Sequence, residues 1–328
     1  MNLRSGRYDN RRLLDLLTLA VTAAVVAGCG AEPVKIPVYG LLGEIAVGED
    51  SVWVTQRGVE ESTPAVLKID PTVNQVVASI PIEGFDYWGG LAVGAGGVWV
   101  TEGEKGRYLH RIDPRANRIV ASIQTPEPPQ MVVAEGGSVW VAGQKGVYRI
   151  DPGTNRVDRS ISLSTDVWLH LLVGHGALWV ATGPGGYLYR VEPETGVIVT
   201  TRVPSQPVTS AVLGAGSIWL VHGTPRMHEK GVVTRIDPET GKVIGEPLVV
   251  GPLPRLAIGG GFLWLASAVE GGGASVSRLD PQTFQEVGRP TRISGLVTRI
   301  AFGFDSLWAI SPSAPRTGRP SLVQRIKR

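Results

Sequence analysis

One short phrase occurs seven times along the chain, and this repetition limits the folds that the chain can adopt. Each copy contains a glycine-rich stretch, such as LAVGAGG at 91–97, followed within a few residues by tryptophan and an apolar residue. Successive copies are 46, 41, 39, 40, 45 and 44 residues apart, and their tryptophans are Trp53, Trp99, Trp140, Trp179, Trp219, Trp264 and Trp308. A repeat of this length indicates a ring or stack of equivalent structural units.

Each unit contains four short apolar runs that are separated by turn residues. In the second unit these runs are LAVG (91–94), VWV (98–100), a run ending in RIDP (111–114) and RIVASI (118–123). Proline fixes the backbone at the second position of a turn, and the Asn or Gly that follows accepts a left-handed conformation. Four antiparallel strands in about 40 residues are typical of a β-propeller blade. We therefore predict an all-β, seven-bladed propeller of four-stranded blades.

The two ends of the repeat array predict how the ring closes. The seventh unit ends after its third run, at Gln324-Arg325-Ile326. The first unit is preceded by Val34-Lys35-Ile36-Pro37-Val38, a strand-like run with no partner of its own. An N-terminal strand that completes the last blade would remove the free edges of the ring.

The N-terminal segment has the pattern of an export signal. Four arginines precede an apolar run from Leu16 to Ala27, which is too short to span a bilayer but suits a signal-peptide core. The run ends in Val26-Ala27-Gly28-Cys29, which resembles the bacterial lipobox, and Cys29 is the single cysteine of the chain. We predict a lipoprotein signal peptide at 1–28, a short tether at 29–33 and the propeller at 34–328. The mature protein would then be attached through Cys29 to the extracytoplasmic face of the cell membrane.

The charge balance argues against nucleic acid as a partner. The whole chain has a formal net charge of +3, but residues 1–28 contain four arginines and two aspartates. Removal of the signal peptide therefore leaves a net charge of +1. A nucleic-acid-binding domain is expected to carry a clustered basic face.

The repeat phrases also resemble known families. Residues 150–157, IDPGTNRV, resemble the YVTN-type repeat, and the GxGxxWV phrases resemble those of virginiamycin B lyase-like propellers. The resemblance covers essentially all of the mature chain, and its shared motifs build the blade. It implies a seven-bladed propeller and, for the second family, a metal-assisted lyase with His and Glu side chains at the mouth of the channel.

Candidate site residues are those that occupy equivalent positions in the blades but differ in chemistry. A first ring comes just before the first strand of each blade: Glu44, Gly90, Gln130, His170, Ser210, Arg255 and Arg299. A second ring lies three residues after each repeat tryptophan: Gln56, Glu102, Gly143, Thr182, His222, Ser267 and Ser311. The links that carry both rings share one end of the blade, so we expect them to surround the mouth of the central channel. The polar side chains of these rings either bind a ligand there or line a solvated entrance.

Two functions follow from these observations. The first is a non-catalytic, monomeric binding protein, anchored by lipid, whose channel mouth binds a protein, a cell-wall fragment or a small molecule. The alternative is the metal-assisted lyase, with His222 or His170 as the base and Glu102 as its partner or as a metal ligand. We predict no cofactor, although a divalent metal ion held by His170, His222, His228 and Glu102 is the option that the lyase would require. The chain lacks the adjacent cysteine pair expected of a quinoprotein dehydrogenase.

Overall fold

A computed structural model describes residues 32–57, 63–85, 89–163, 169–182, 186–203, 207–223, 226, 228–313 and 319–328. The predicted signal peptide and Cys29 lie outside these ranges, as does most of the tether. Among the described residues, no helix is long and apolar enough to cross a membrane. The description below concerns the compact unit from Pro33 to Arg328.

The unit consists of seven four-stranded antiparallel sheets arranged as the blades of a propeller, as predicted. Strand β1 (Val34–Val38) comes first in the chain and belongs to the last blade. Blades 1 to 3 contain β2 (Leu41–Gly48), β3 (Ser51–Arg57), β4 (Ala65–Asp70), β5 (Gln75–Pro81); β6 (Leu91–Gly94), β7 (Gly97–Thr101), β8 (Tyr108–Asp113), β9 (Arg118–Gln124); and β10 (Met131–Glu135), β11 (Ser138–Ala142), β12 (Gly146–Asp151), β13 (Arg156–Ser162). Blades 4 and 5 contain β14 (Leu169–Gly174), β15 (Ala177–Thr182), β16 (Tyr187–Val191), β17 (Ile198–Arg202); and β18 (Val208–Gly214), β19 (Ser217–His222), β20 (Lys230–Ile236), β21 (Leu248–Pro252). Blades 6 and 7 contain β22 (Arg255–Gly259), β23 (Phe262–Ala268), β24 (Ala274–Leu279), β25 (Thr291–Ile293); and β26 (Arg299–Gly303), β27 (Ser306–Ser311), β28 (Ser321–Lys327).

The ring closes through the N-terminal strand, which confirms the prediction from the chain ends. Strand β1 pairs antiparallel with β28, with Val34 opposite Arg325 and Val38 opposite Ser321. The Ser321 hydroxyl donates a hydrogen bond of 2.6 Å to the Gly40 carbonyl, just before blade 1 begins. The first strand of each blade contacts the first strands of both neighbouring blades, and β26 contacts β2 to complete the circle.

The repeat tryptophans fill the space between neighbouring sheets. All seven are at most 2 % exposed. Six of them donate the indole N–H to the carbonyl of the glycine that ends the preceding strand, at 2.9–3.2 Å. On the neighbouring third strand of the same blade, the guanidinium or ammonium group lies 5.0–6.0 Å from the tryptophan ring, within the range of a cation–π interaction. These repeated residues therefore build the blades.

The repeated turn carboxylates also have a structural role. Each accepts a hydrogen bond of 2.7–2.8 Å from the backbone N–H two residues later; they are Asp70, Asp113, Asp151, Asp237 and Asp280. Hydrogen bonds favour the ionised form and hold the pKa of each carboxyl below its usual value. The largest contribution comes from a threonine hydroxyl at Asp70 and Asp151, and from backbone N–H groups at the other three. In blade 6 the left-handed position is occupied by Phe284, whose φ is 59°. Its ring packs edge-on against Trp219, with 5.3 Å between the ring centroids, so apolar packing compensates for the unusual turn residue.

Candidate functional site at the channel mouth

In the first strands of the seven blades, every second residue lies on the same face of its sheet. Equivalent positions on this face form three layers around the central channel. The mouth layer precedes each repeat tryptophan by nine residues and contains Glu44, Gly90, Met131, His170, Ser210, Arg255 and Arg299. The middle layer lies directly opposite the tryptophans in the strand pairing and contains Ala46, Ala92, Val133, Leu172, Val212, Ala257 and Ala301. The lower layer contains six glycines and Glu135. Charged side chains are therefore concentrated at the mouth.

The mouth layer reproduces the predicted first ring with one correction, in blade 3. Met131 pairs with Ala142 in the same register in which His170 pairs with Ala181. Gln130 lies one residue earlier and is only 7 % exposed, so its assignment to the ring was wrong. A shift of one residue along a strand turns the side chain to the other face of the sheet. The irregular link before β10 had concealed that shift in the sequence.

The charged side chains of the mouth layer connect neighbouring blades. Arg299 of blade 7 donates from Nε to both carboxylate oxygens of Glu44 in blade 1, at 2.7 and 2.8 Å. A second guanidinium nitrogen lies 2.6 Å from the same carboxylate, which makes the pair bidentate. Arg255 of blade 6 donates from Nε to the carbonyl of Thr298 in blade 7, at 2.8 Å. Three consecutive blades are thus joined at the mouth.

His170 reports on the electrostatics of this site from the opposite side of the ring. Its pKa is lowered to about 4, chiefly by burial and also by the positive charges of Arg299 and Arg255, while Glu44 and a hydrogen bond with the Val208 backbone act in the other direction. The imidazole is therefore neutral at pH 7. The charges of Arg299, Glu44 and Arg255, from blades 7, 1 and 6, therefore act on a side chain of blade 4. Two guanidinium groups and one carboxylate give the layer a net positive charge.

The second ring does not join the first at the mouth. Four of its members are buried within the sheets and are at most 8 % exposed: Glu102, Thr182, His222 and Ser311. The partly buried Gln56 donates from its amide nitrogen to the Tyr39 carbonyl. Ser267 is also partly buried. The Ser311 hydroxyl accepts a hydrogen bond of 2.9 Å from the Gln324 amide in β28 of the same blade.

In blade 2, the second-ring residue Glu102 forms hydrogen bonds with the segment that follows its strand. One carboxylate oxygen accepts the backbone N–H groups of Arg107 and Tyr108, at 2.7 and 3.0 Å. The other lies 3.1 Å from Nε2 of His110, and Nδ1 of the same ring lies 2.8 Å from the Ser122 hydroxyl. The carboxylate therefore anchors the loop between β7 and β8. In the described ranges, no group of three or more His, Cys, Asp or Glu residues could hold a metal ion.

The sequence analysis did not identify Glu127, a second buried carboxylate, which anchors the corresponding loop in blade 3. It accepts the backbone N–H of Lys145 at 2.9 Å and the hydroxyl of Tyr148 at 2.7 Å. Burial and the neighbouring Glu127 both raise the pKa of Tyr148. A Cβ atom on Gly143 would lie 2.5 Å from the Glu127 carboxyl carbon, so glycine leaves room for this side chain. The glycine at this second-ring position is the sequence signal that could have indicated a side chain from another segment in its place.

Comparisons with known proteins support the fold. No family model matches the chain, and neither does any curated protein sequence. Hydrazine synthase of Kuenenia stuttgartiensis is similar in structure, with a TM-score of 0.65 and 15 % sequence identity over 92 % of this chain and 99 % of that chain. U3-55K is also similar, with a TM-score of 0.66 and 9 % identity over 88 % of this chain and 99 % of that one. At these identities the likeness shows the β-propeller fold alone.

Proposed function

We propose that this protein is a lipid-anchored, extracytoplasmic propeller of the YVTN and virginiamycin B lyase-like type, and that its channel mouth binds a partner without catalysis. The observation that carries the proposal is the concentration of Glu44, His170, Arg255 and Arg299, from four blades, at one end of a channel whose next layer is apolar. Side chains that converge from a rigid scaffold are well suited to recognition. The fold itself supports a binding or scaffold role.

The course of β1 suggests which face of the propeller would lie near the membrane. Val34, at the start of β1, pairs with Arg325, whose side chain reaches the Pro71 carbonyl in an Asp-Pro turn of blade 1. Two residues separate the end of β1 from β2, whose first half leads to Glu44 in the mouth layer. A lipid on Cys29 would hold the turn face near the membrane, because a tether at 29–33 spans at most about 17 Å when extended. The mouth would then face a partner away from the membrane.

Site-directed photo-crosslinking in intact cells tests the partner-binding face. A benzophenone amino acid at Ser210, in the mouth layer of blade 5, should form a covalent adduct with the partner. The matched control carries the same amino acid at Ala215, an exposed residue in the turn at the other end of β18. Mass spectrometry of the adduct distinguishes a protein, a cell-wall fragment and a small molecule. Adducts from Ala215 alone, or the same adduct from both positions, would overturn the proposed face.

The anchor is tested separately. Cells grown with an alkyne-tagged fatty acid should label the wild-type protein, and the label should be lost in Cys29→Ser. The variant should also leave the membrane fraction or retain its uncleaved signal peptide. Labelling that persists in Cys29→Ser would refute the lipid anchor while leaving the binding proposal to be judged by crosslinking.

A further inference from the structure

Blade 2 contains a chain of three hydrogen-bonded side chains that lies outside the channel mouth. Nε2 of His110 lies 3.1 Å from one carboxylate oxygen of Glu102, and Nδ1 of the same ring lies 2.8 Å from the Ser122 hydroxyl. His110 and Glu102 are each 8 % exposed, whereas Ser122 is an exposed residue of the outer strand. Carboxylate, imidazole and hydroxyl are thus joined in the order of a catalytic triad. The two ring nitrogens are exchanged relative to the serine proteases, which leaves that order unchanged.

Glu102 determines which nitrogen of the His110 ring carries the proton. Its second carboxylate oxygen accepts the backbone N–H groups of Arg107 and Tyr108, at 2.7 and 3.0 Å, so the carboxylate is held in place. A carboxylate accepts hydrogen bonds, and the neutral ring therefore donates to it from Nε2. Nδ1 then carries a lone pair, to which the Ser122 hydroxyl donates. The arrangement presents His110 to the serine as a base.

The strand pairing also leaves a backbone donor beside the serine. The N–H of Thr125 donates to the Arg107 carbonyl at 2.9 Å, which makes these two residues a hydrogen-bonded pair. Such pairs alternate with non-hydrogen-bonded pairs along an antiparallel ladder, and Ser122 pairs with His110 three positions further along. The backbone N–H of Ser122 therefore points away from β8, toward the open side of the outer strand. It can donate to the negatively charged oxygen that forms when a hydroxyl attacks a carbonyl group.

Serine recurs at this position in blades 1 and 3, but neither blade places a histidine opposite it. Ser79 in β5 pairs with Leu67, and Ser160 in β13 pairs with Tyr148. Both serines are exposed, like the serine of blade 2. In blade 3 the Tyr148 hydroxyl donates to Glu127, so that blade has the carboxylate without the imidazole. The serine thus belongs to the repeat, and the histidine is the departure from it.

We propose that blade 2 carries an acyl-transfer site that hydrolyses carboxylic esters, with Ser122 as the nucleophile, His110 as the general base and Glu102 as a positioning residue. Ser122 Oγ attacks the ester carbonyl carbon while its proton passes to Nδ1 of His110. The C–O bond to the alcohol then breaks, and the alcohol leaves with that proton, so the acyl group remains on Ser122. Water attacks the acyl group in the same way, which releases the carboxylic acid and restores the serine hydroxyl.

A fluorophosphonate probe with an alkyne tag tests the nucleophile, because it reacts with a serine hydroxyl that a base activates. In the wild-type protein, tandem mass spectrometry should place the label on Ser122 and leave Ser79 and Ser160, the matched controls within the same molecule, unlabelled. His110→Gln should slow the labelling by about 100-fold or more, as expected for the loss of a general base. The proposal is overturned if Ser122 is unlabelled, if the three serines react equally, or if His110→Gln reacts at the wild-type rate.

Glu102→Gln distinguishes positioning of the imidazole from packing of the loop. The glutamine oxygen can accept the same two backbone N–H groups, and its amide nitrogen then donates to Nε2 of His110. The ring proton moves to Nδ1, which no longer accepts the serine proton. The variant should unfold close to the wild-type temperature and still lose the label at Ser122. Labelling at the wild-type rate in the folded variant would contradict the role of Glu102 and overturn the triad.

Hydrolysis of p-nitrophenyl butyrate tests the complete reaction. The wild-type protein should release p-nitrophenolate continuously, and Ser122→Ala should lower the rate to that of the buffer alone. Ser79→Ala, at the equivalent exposed position of blade 1, is the matched control and should keep the wild-type rate. Arg299→Gln should also keep it, since the site is separate from the channel mouth and does not depend on partner binding there. A wild-type rate in Ser122→Ala, or an equal loss in both serine variants, would refute the reaction.

Discussion

The surfaces between the blades and the surface of the central channel are made from the same strands but obey different rules. Between blades, each repeat presents the same tryptophan, and a basic side chain on the next strand lies over its ring. Along the channel, equivalent positions carry Glu, Gly, Met, His, Ser or Arg in the mouth layer. Repetition therefore identifies the residues that build the ring, and divergence at a channel-facing position identifies candidates for recognition.

Divergence alone, however, does not indicate function. Blade 2 has Glu102 at its second-ring position and blade 3 has Gly143. In both blades, however, a buried carboxylate accepts a backbone N–H from the loop between the second and third strands. In blade 3 the carboxylate comes from Glu127, in the link before the first strand. The same structural need is met by residues at different places in the repeat, and only their contacts distinguish this case from the mouth layer.

The largest difference between the two surfaces should appear when a repeat tryptophan is removed. Trp219 is fully buried between blades 5 and 6, so Trp219→Ala should lower the free energy of unfolding by about 3–5 kcal/mol through lost contacts and the cavity left behind. Val212, directly opposite on β18, lines the channel and is partly exposed, and Val212→Ala should cost about 1 kcal/mol. Equilibrium urea denaturation measures both losses. Losses of equal size would contradict the distinction between the two surfaces.

The two buried carboxylates can be compared by placing a glutamate in blade 3 at the position that Glu102 occupies in blade 2. Glu127→Ala leaves the Lys145 N–H and the buried Tyr148 hydroxyl without their acceptor and should destabilise the protein by about 2–3 kcal/mol. Gly143→Glu alone should also destabilise it, because the new side chain meets Glu127. The double variant should be more stable than Glu127→Ala, since the new carboxylate stands where Glu102 stands in blade 2. Strictly additive losses in a double-mutant cycle would refute the equivalence.

The neutral His170 predicts a pH dependence that the repeated positions lack. Its pKa is about 4 in the folded state and 6.5 as the ordinary value, so between these values the unfolded chain binds more protons. Stability should fall as the pH decreases from 6.5 to about 4, and this contribution should then level off. His170→Gln should remove a loss on the order of 2 kcal/mol over that interval. Denaturation at pH 7, 5.5 and 4 measures it, and parallel profiles for wild type and variant would show that His170 is not responsible.

The smallest effect on stability is expected at the Glu44–Arg299 pair, although the effect on binding should be large. The Arg299 side chain is 44 % exposed, so Arg299→Gln should change the free energy of unfolding by less than about 1 kcal/mol. Arg159→Gln, which breaks a comparable pair with Glu194 between blades 3 and 4, is the control. Only Arg299→Gln should reduce the yield of the Ser210 crosslink. An equal reduction in both variants would point to a general charge effect.

The blades could be predicted because their signals are local. Their closure could be predicted because the seventh unit lacks a fourth strand and an additional strand precedes the first unit. The Asp-Pro turns, the glycine-rich turns and the alternation of side chains along the strands are each specified by a few neighbouring residues. The pattern occurs seven times along the chain. The assignment of Gln130 to the first ring was wrong because the link before β10 contains no turn motif that fixes the register of the strand. The burial of Glu102 and His222 was missed because the second ring shares its end of the blade with the mouth, and sequence does not show which way a side chain turns there.

The repeats and chain ends specify seven four-stranded blades and an N-terminal strand that completes the last one. Which polar residues meet depends on the folded ring. Glu44 and Arg299 are 255 residues apart, and their contact exists because the ring brings blade 7 beside blade 1. The apolar lining of the channel is assembled in the same way, since it comes from five different blades. Local backbone chemistry specifies the repeated unit, whereas the arrangement of units around the axis assembles the sites.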